Sequence, residues 1–276
     1  MNNGLADLHV HTTQSDGSHS PEEVVVLANS RNLAAIAITD HDEVGAVPRA
    51  VAKGAELGIE VIVGVELSVI HSGFDVHILG YFIDENDGRL LRFLKKLCDE
   101  RERRIHRILG KLESLGMPLH FAQVMRLAGD GCIGRPHVAE ALVARGYVGR
   151  YQDAFDLFLA EDKPAFEPKF KLMAHEAIRI IHEAGGVASL AHPGQNLSWE
   201  VVVEIVAAGV DAIEIVHPKH TREQRERFRQ LALGSGLLTT GGSDFHGGKR
   251  GVERLGQFTV TQEQVEQLRE KARQWH

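Results

Sequence analysis

Apolar residues in this chain come in short runs separated by amphipathic stretches. Runs rich in Val, Ile, Leu and Ala predict strands over residues 6–11, 34–39, 61–69, 75–82, 186–191, 212–216, 237–240 and 257–260. Several are almost continuously apolar, as parallel strands covered on both faces require. The stretches between them carry helix start signals. Ser20-Pro21-Glu22-Glu23 combines an N-cap, a Pro at the first helical position and a capping-box Glu. Thr221 with Gln224, and Thr261 with Gln264, repeat the cap pattern, while Gly58, Gly116, Gly185 and Gly209 mark helix stops. Strand–helix alternation over 276 residues predicts an α/β fold, with a barrel favoured.

The alternation breaks between residues 84 and 171. That stretch predicts a long charged helix over 88–115 and shorter helices over 121–128, 136–145 and 151–159. A Pro-punctuated segment, Lys163-Pro164-Ala165-Phe166-Glu167-Pro168, leads back to the barrel pattern. The expectation is a barrel built from residues 1–83 and 172–276, with a helical insertion over 84–171 growing from a strand-to-helix loop. Such loops ring the active face of barrel enzymes, so the insertion would form a lid.

Composition narrows the function classes. A net charge of −7 argues against broad electrostatic binding to nucleic acid or to an anionic membrane. A phosphate-bearing ligand would therefore need local cations, either metal ions or clustered Arg. The start lacks the basic and apolar segments of a signal peptide, and no apolar run approaches the ~20 residues of a membrane span. Cys98 and Cys132 stand in no metal-ligand spacing and read as buried or incidental thiols of a reducing compartment. The expectation is a soluble cytoplasmic protein with no obligate protein partner.

Candidate chemistry is spread over almost the whole length. Asp7-Leu8-His9-Val10-His11 opens it, followed by Asp16, Thr39-Asp40-His41, Glu66, His77, His192 and Asp244-Phe245-His246. Residues two apart on a strand point to the same side, so His9 and His11 project together. Each piece alone is a weak signal, since a His at a strand end can cap a helix or satisfy a core hydrogen bond. Jointly they are not weak. His41, Glu66, His192, Asp244 and His246 fall at or just past the C-terminal ends of different predicted strands, the face where barrels keep their chemistry. Imidazoles and carboxylates converging there suit a divalent-metal cluster.

These motifs resemble those of the polymerase-and-histidinol-phosphatase (PHP) superfamily, and the match covers residues 6–250. The resemblance implies a distorted (β/α)7 barrel with a helical cap, holding two or three divalent ions. It implies His9, His11, Glu66 and Asp244 around a first ion. Glu66, His77 and His192 would hold a second, and Asp16, His41 and His246 a third. Asp7 and Asp40 are then expected to orient histidines by accepting imidazole N–H groups. A ligand set without thiolate suits Mn²⁺, with Zn²⁺ or Fe²⁺ as alternatives. Such ions supply hydroxide at neutral pH, so no protein nucleophile is required. Ser243 reads as a turn residue.

The insertion contributes Arg101-Glu102-Arg103-Arg104-Ile105-His106-Arg107. On a helix Arg101 and Arg104 share a face. Two readings stand open: a solvated helix with internal ion pairs, or a phosphate clamp above the metals. Gly134-Arg135-Pro136-His137 is a second substrate-binding candidate, a helix start with Arg135 and His137 beside it. Lys169 and Lys171 read as surface charges. His217-Pro218-Lys219-His220 reads either as a substrate contact or as a structural turn.

The insertion resembles that of stand-alone bacterial PHP phosphatases acting on nucleotides. The implied activity is release of the 3′-phosphate of nucleoside 3′,5′-bisphosphates, with 5′-3′ exonuclease activity on short RNA beside it. A histidinol-phosphate phosphatase is the alternative within the same chemistry, and the Arg-rich insertion counts against it. A proofreading or regulatory module of a DNA polymerase assembly is the alternative from another class.

Overall fold

A computed structural model describes residues 4–129, 131–248 and 254–275. The last residues of the PHP-like span, 249 and 250, lie outside them. The strands are β1 (Leu5–Val10), β2 (Ala35–Ile38), β3 (Glu60–His71), β4 (Phe74–Tyr81), β5 (Val187–Leu190), β6 (Ala212–Val216), β7 (Leu238–Gly241) and β8 (Val260–Thr261). They form one sheet in the order β7-β6-β5-β4-β3-β2-β1-β8. A bridge from Val10 to Phe245, just past β7, curls the sheet into a nearly closed barrel. Among the described residues no helix is long and apolar enough to cross a membrane.

The capping signals act as expected. Ser20 and Glu23 close a reciprocal box at α1 (Pro21–Ser30). Thr221 and Gln224 do the same at α9 (Arg222–Ser235), and Thr261 and Gln264 at α10 (Gln262–Ala272). Helix α2 (Val47–Leu57) ends at Gly58 with φ 71°, a left-handed position that favours glycine. Helices α7 (Ala174–Glu183) and α8 (Trp199–Ala207) complete the barrel's outer layer.

Two strands run against the others: the short β8 at the edge beside β1 and, in the middle of the sheet, β4. β1, β2 and β3 are parallel, as are β5, β6 and β7, but β4 is antiparallel to both its neighbours. Its beginning therefore lies beside the C-terminal ends of the rest. This is why His77, early in its strand, reaches the same mouth as residues at other strand ends. The reversal also corrects the expected departure point of the insertion. Residues after Tyr81 leave from the opposite end of the barrel, not from an active-face loop. The 27-residue α3 (Gly88–Ser114), about 40 Å long, makes up the distance, its first half running along the barrel and its second half in the insertion.

Helix α3 serves two cores. Leu90, Leu94 and Leu97 pack with Ile178, Ile181 and the barrel. Ile105, Ile108, Leu109 and Leu112 pack with α4 (Phe121–Ala128) and α5 (Arg135–Ala144) through Val124, Val138 and Leu142. The short α6 (Tyr151–Ala154) continues as a π-helical turn, Phe155–Leu159, that joins the second cluster through Leu159. Arg101 and Arg104 fall at the junction of the two cores.

The cysteines correct the reading of free thiols. Cys98 on α3 and Cys132 before α5 form a disulfide, with Cα atoms 5.5 Å apart. Their 34-residue separation hid the pairing. The segment bearing Cys132 rests on the loop after β1, where Cys132 N donates to Gln14 O at 3.1 Å. The approach needs Gly131, because a Cβ there would come within 2.2 Å of Gln14 O.

Candidate metal centre

The nine predicted ligands converge at the C-terminal mouth of the barrel. Glu66, buried midway along β3, is the hub. Its Oε2 lies 3.2 Å from His9 Nε2, 3.1 Å from His11 Nε2 and 3.1 Å from His41 Nδ1. Its Oε1 lies 2.7 Å from His77 Nδ1 and 3.1 Å from His192 Nε2. Asp244 Oδ1 faces the first pair, 3.6 Å from His9 Nε2 and 3.4 Å from His11 Nε2. On the far side Asp16 lies 3.1 Å from His246 Nε2 and 3.7 Å from His41 Nε2.

Donor atoms within 4.8 Å of one another form four overlapping groups. These are His9-His11-Asp244, His9-Glu66-His192, His41-Glu66-His77 and His11-Asp16-His41-His246. They gather all nine predicted donors but divide them differently from the expected three sets: His77 groups with His41, and His192 with His9.

The site fits a cation on its own physics. His9 Nε2, His11 Nε2, His41 Nδ1 and Glu66 Oε2 are buried and point at one another without a well-formed hydrogen bond. Each such group left unsatisfied costs about 1–3 kcal/mol, so their convergence calls for a shared acceptor of lone pairs. Charge agrees. Glu66 is held well below the usual carboxylate range: its burial is outweighed by His41, His77 and His9. Asp244 behaves alike under His246, His11 and His217. Burial, with His11 and His77 nearby, pushes His41 well below its ordinary value, leaving it neutral as a ligand must be. His11 moves the other way, to about 9, because Asp244 and Glu66 overcome its burial. Metal binding there would release a proton.

The supporting residues differ from expectation. Neither Asp7 nor Asp40 accepts an imidazole N–H directly, and Asp40 reaches His11 Nδ1 only through Ser15 Oγ. Asp7 accepts the backbone N–H groups of Ser243 (2.9 Å) and Gly256 (2.8 Å), which ties the Asp244 loop to β1. Asp40 accepts Thr12 N at 2.8 Å, Thr12 Oγ1 at 2.7 Å and Ser15 Oγ at 2.5 Å, pinning the loop that carries Asp16. A buried carboxylate outside the nine, Glu214 on β6, does meet an imidazole: its Oε1 lies 3.2 Å from His9 Nδ1. Its only signal in the sequence is a Glu inside an apolar strand. His217 is fully buried, with Nε2 3.4 Å from Asp244 Oδ2. Gly242 lets this loop approach, since a Cβ there would meet His9 Cβ at 2.3 Å.

Beside the mouth lies a cleft of 1080 Å³ lined by Arg104, Arg135, Arg150, Tyr151, Phe155, Lys169 and others. Lys169 is no surface charge. It pairs with Asp75 at 2.6 Å, and its Nζ comes within 3.5 Å of His77 Nε2. Arg135 lines the cleft, donating to Leu159 O at 3.1 Å. Arg104 is 6% exposed and donates through Nε to Glu167 O at 2.8 Å. Arg101 turns inward too, but its charge is taken by Asp42 at 2.5 Å and its Nη2 donates to Ser68 Oγ at 2.8 Å. It fastens α3 to the barrel. Arg103 and Arg107 remain on the outer face in pairs with Glu100 and Glu167. His137 is 3% exposed, and its Nδ1 accepts Gly134 N–H at 3.0 Å. It caps α5 and is not among the residues lining the cleft.

The PHP domain model matches residues 7–186. The chain is 35% identical over 245 residues to the 5′-3′ exoribonuclease of Haemophilus influenzae, covering 87% of this chain and 89% of that protein. It is 34% identical over 256 residues to the 3′,5′-nucleoside bisphosphate phosphatase of Chromobacterium violaceum, covering 91% and 90%. It is 32% identical over 247 residues to the phosphoribosyl 1,2-cyclic phosphate 1,2-diphosphodiesterase of Eggerthella lenta, covering 88% and 94%. Among solved structures, a candidate metal-dependent phosphoesterase from Bifidobacterium adolescentis superposes with a TM-score of 0.88 at 32% identity, covering 95% of this chain and 94% of that one. Fold, donor cluster and relatives agree, and the chain belongs to the PHP domain family of metal-dependent phosphoesterases.

Proposed function

We propose that this phosphoesterase acts on small nucleotides and releases the 3′-phosphate of nucleoside 3′,5′-bisphosphates. Trimming of short RNA from its 5′ end would be a second use of the same site. The observation that carries this reading is the junction of the donor cluster with the cation-lined cleft, where Lys169 Nζ stands 3.5 Å from His77 Nε2. One phosphate would sit at the donor cluster and the other against Lys169, Arg135 and Arg104. The Chromobacterium violaceum and Haemophilus influenzae relatives, with their nucleotide and RNA names, support the same reading.

The nine donors would hold two or three divalent ions, with Mn²⁺ first among those suited to imidazole and carboxylate, then Zn²⁺ or Fe²⁺. Ions bound there would lower the pKa of a bound water to about 7 and screen the phosphate charge. The protein's part is positioning. Glu66 directs one oxygen to each side of the centre. Arg135 and Lys169 fix the distal phosphate, so the scissile one enters in a single orientation. Ser243, 3% exposed beside Asp7, is not placed to attack. A histidinol ester would bring its amine toward Arg104, Arg135 and Lys169, an unfavourable meeting of like charges.

The test is phosphate release by Mn²⁺-loaded protein from adenosine 3′,5′-bisphosphate, AMP and histidinol phosphate. The expected order places the bisphosphate first by kcat/KM. Release from histidinol phosphate alone would overturn the reading.

A further inference from the structure

Strand β6 supplies none of the nine donors, yet its C-terminal end touches three of them. We infer that Glu214 and His217 are positioning residues for the metal ligands: Glu214 fixes the tautomer of His9 and the backbone of His192, and His217 selects the oxygen of Asp244 that faces the metal. The inference rests on the metal-centre reading above.

Glu214 is fully buried, and its two oxygens do separate tasks. Oε1 lies 3.2 Å from His9 Nδ1. A carboxylate only accepts, so in the neutral ring that a metal ligand must be, the His9 proton sits on Nδ1 and the Nε2 lone pair is left for an ion between Glu66 and Asp244. Oε2 accepts the backbone N–H of His192 at 2.8 Å. His192 has φ 29°, a conformation residues with a Cβ rarely adopt, so an external anchor is needed to hold it. One carboxylate thus couples ligands on β1 and just after β5.

His217 works through its tautomer. Its Nδ1 accepts Lys219 N–H at 3.2 Å, which places the proton of the neutral ring on Nε2. Nε2 lies 3.4 Å from Asp244 Oδ2, within ion-pair reach though not aligned as a hydrogen bond. Oδ1 is then the oxygen left for the space between His9 and His11, at 3.6 and 3.4 Å. Asp244 has φ 51°, so its loop too is held in a conformation that needs outside support. Arg225 donates to His217 O at 2.8 Å and fixes the turn from α9.

The experiment is equilibrium Mn²⁺ binding to the full chain, read by the EPR signal of the free ion, in variants that retain a cooperative thermal transition. Glu214→Gln is expected to weaken binding by roughly 10–100-fold, as loss of an orienting partner does. Its amide presents a donor where the His9 or His192 N–H needs an acceptor. His217→Ala is expected to weaken binding, and His217→Gln, which can still donate to Asp244, to restore most of it. The visible bands of the Co²⁺-loaded Glu214→Gln protein should shift, which a merely structural role would not produce. Wild-type affinity in both Glu214→Gln and His217→Ala overturns the inference, provided the wild type binds Mn²⁺. A wild type that binds none overturns the metal-centre reading as well.

Discussion

His77 Nδ1 lies 2.7 Å from Glu66 Oε1, across two antiparallel strands. Ser68 pairs with His77 and Glu66 with Leu79, so the two are diagonal neighbours on one face. The contact turns Oε1 toward His77 and His192 and leaves Oε2 for His9, His11 and His41. A single carboxylate therefore stands between the two halves of the donor set.

That placement makes Glu66 the most sensitive position. Glu66→Gln should lose bound metal from more than one group at once, whereas His11→Ala and Asp244→Ala should affect the innermost group first. All three should lower kcat by at least about 10–100-fold, the cost already seen when only an orienting partner of a metal ligand is lost. Metal content by elemental analysis, measured alongside phosphate release, checks this. Full turnover in either His11→Ala or Asp244→Ala would show that the ligand layout is wrong.

Removing the metal should weaken the fold as well as the activity. The mouth gathers carboxylates and imidazoles whose buried atoms lack good partners. A ligand at about 100 times its Kd adds about 2.7 kcal/mol when it binds only the folded state. Chelator-treated protein should therefore unfold at lower temperature, with recovery on adding Mn²⁺. Identical melting curves would contradict a site that needs its ion.

The insertion cations should divide by task. Arg135→Ala is predicted to raise KM for a bisphosphate much more than for a monophosphate, because Arg135 lines the distal part of the cleft. Arg104→Ala should act the same way. Arg101→Ala should chiefly cost stability, since its guanidinium is already held by Asp42 and Ser68. Steady-state kinetics on both substrates separates these cases, and an unchanged kcat/KM in Arg135→Ala would remove it from the substrate site.

Lys169 gives a pH signature. Burial, with Arg101 and Arg135 nearby, holds its ammonium below the ordinary lysine value of 10.5 despite the Asp75 carboxylate. The charged form binds phosphate, so binding is present at low pH and lost as pH rises through the lowered value. The alkaline limb of kcat/KM, which reports the free enzyme, should fall below 10.5. Lys169→Arg should move that limb upward, since a guanidinium stays charged. A limb unmoved by the substitution would assign it to another group.

The disulfide is open to direct measurement. Intact-mass alkylation without reductant should find neither Cys98 nor Cys132 reactive. A cross-link closing a loop of 34 residues stabilises by about 4 kcal/mol in the chain-entropy view, so Cys98→Ser should lower the unfolding midpoint measurably. Quantitative labelling of both thiols in the folded, unreduced protein would refute the pairing.

Local periodicity and short spacings were enough to locate the helix caps and every strand but the last, which shrinks from 257–260 to Val260–Thr261, and to single out the candidate donors. Alternation of two placed His9 and His11 together, and a strand end marked His41. Roles that depend on distant partners were not readable. Cys98 finds Cys132 only after α3 and the segment before α5 fold against each other. Lys169 reads as a surface charge until the segment leading back to the barrel brings it to His77. Glu214 reads as an anomaly in an apolar run until β1 lies close enough for His9 to donate to it. Asp7 and Asp40 sit next to ligands in sequence, yet their carboxylates turn to backbone N–H groups and hydroxyls that the loops present. Spacing along the chain decides which side chains share a face. Only the closed barrel decides which lone pair meets which proton, since that depends on groups converging from strands far apart in sequence.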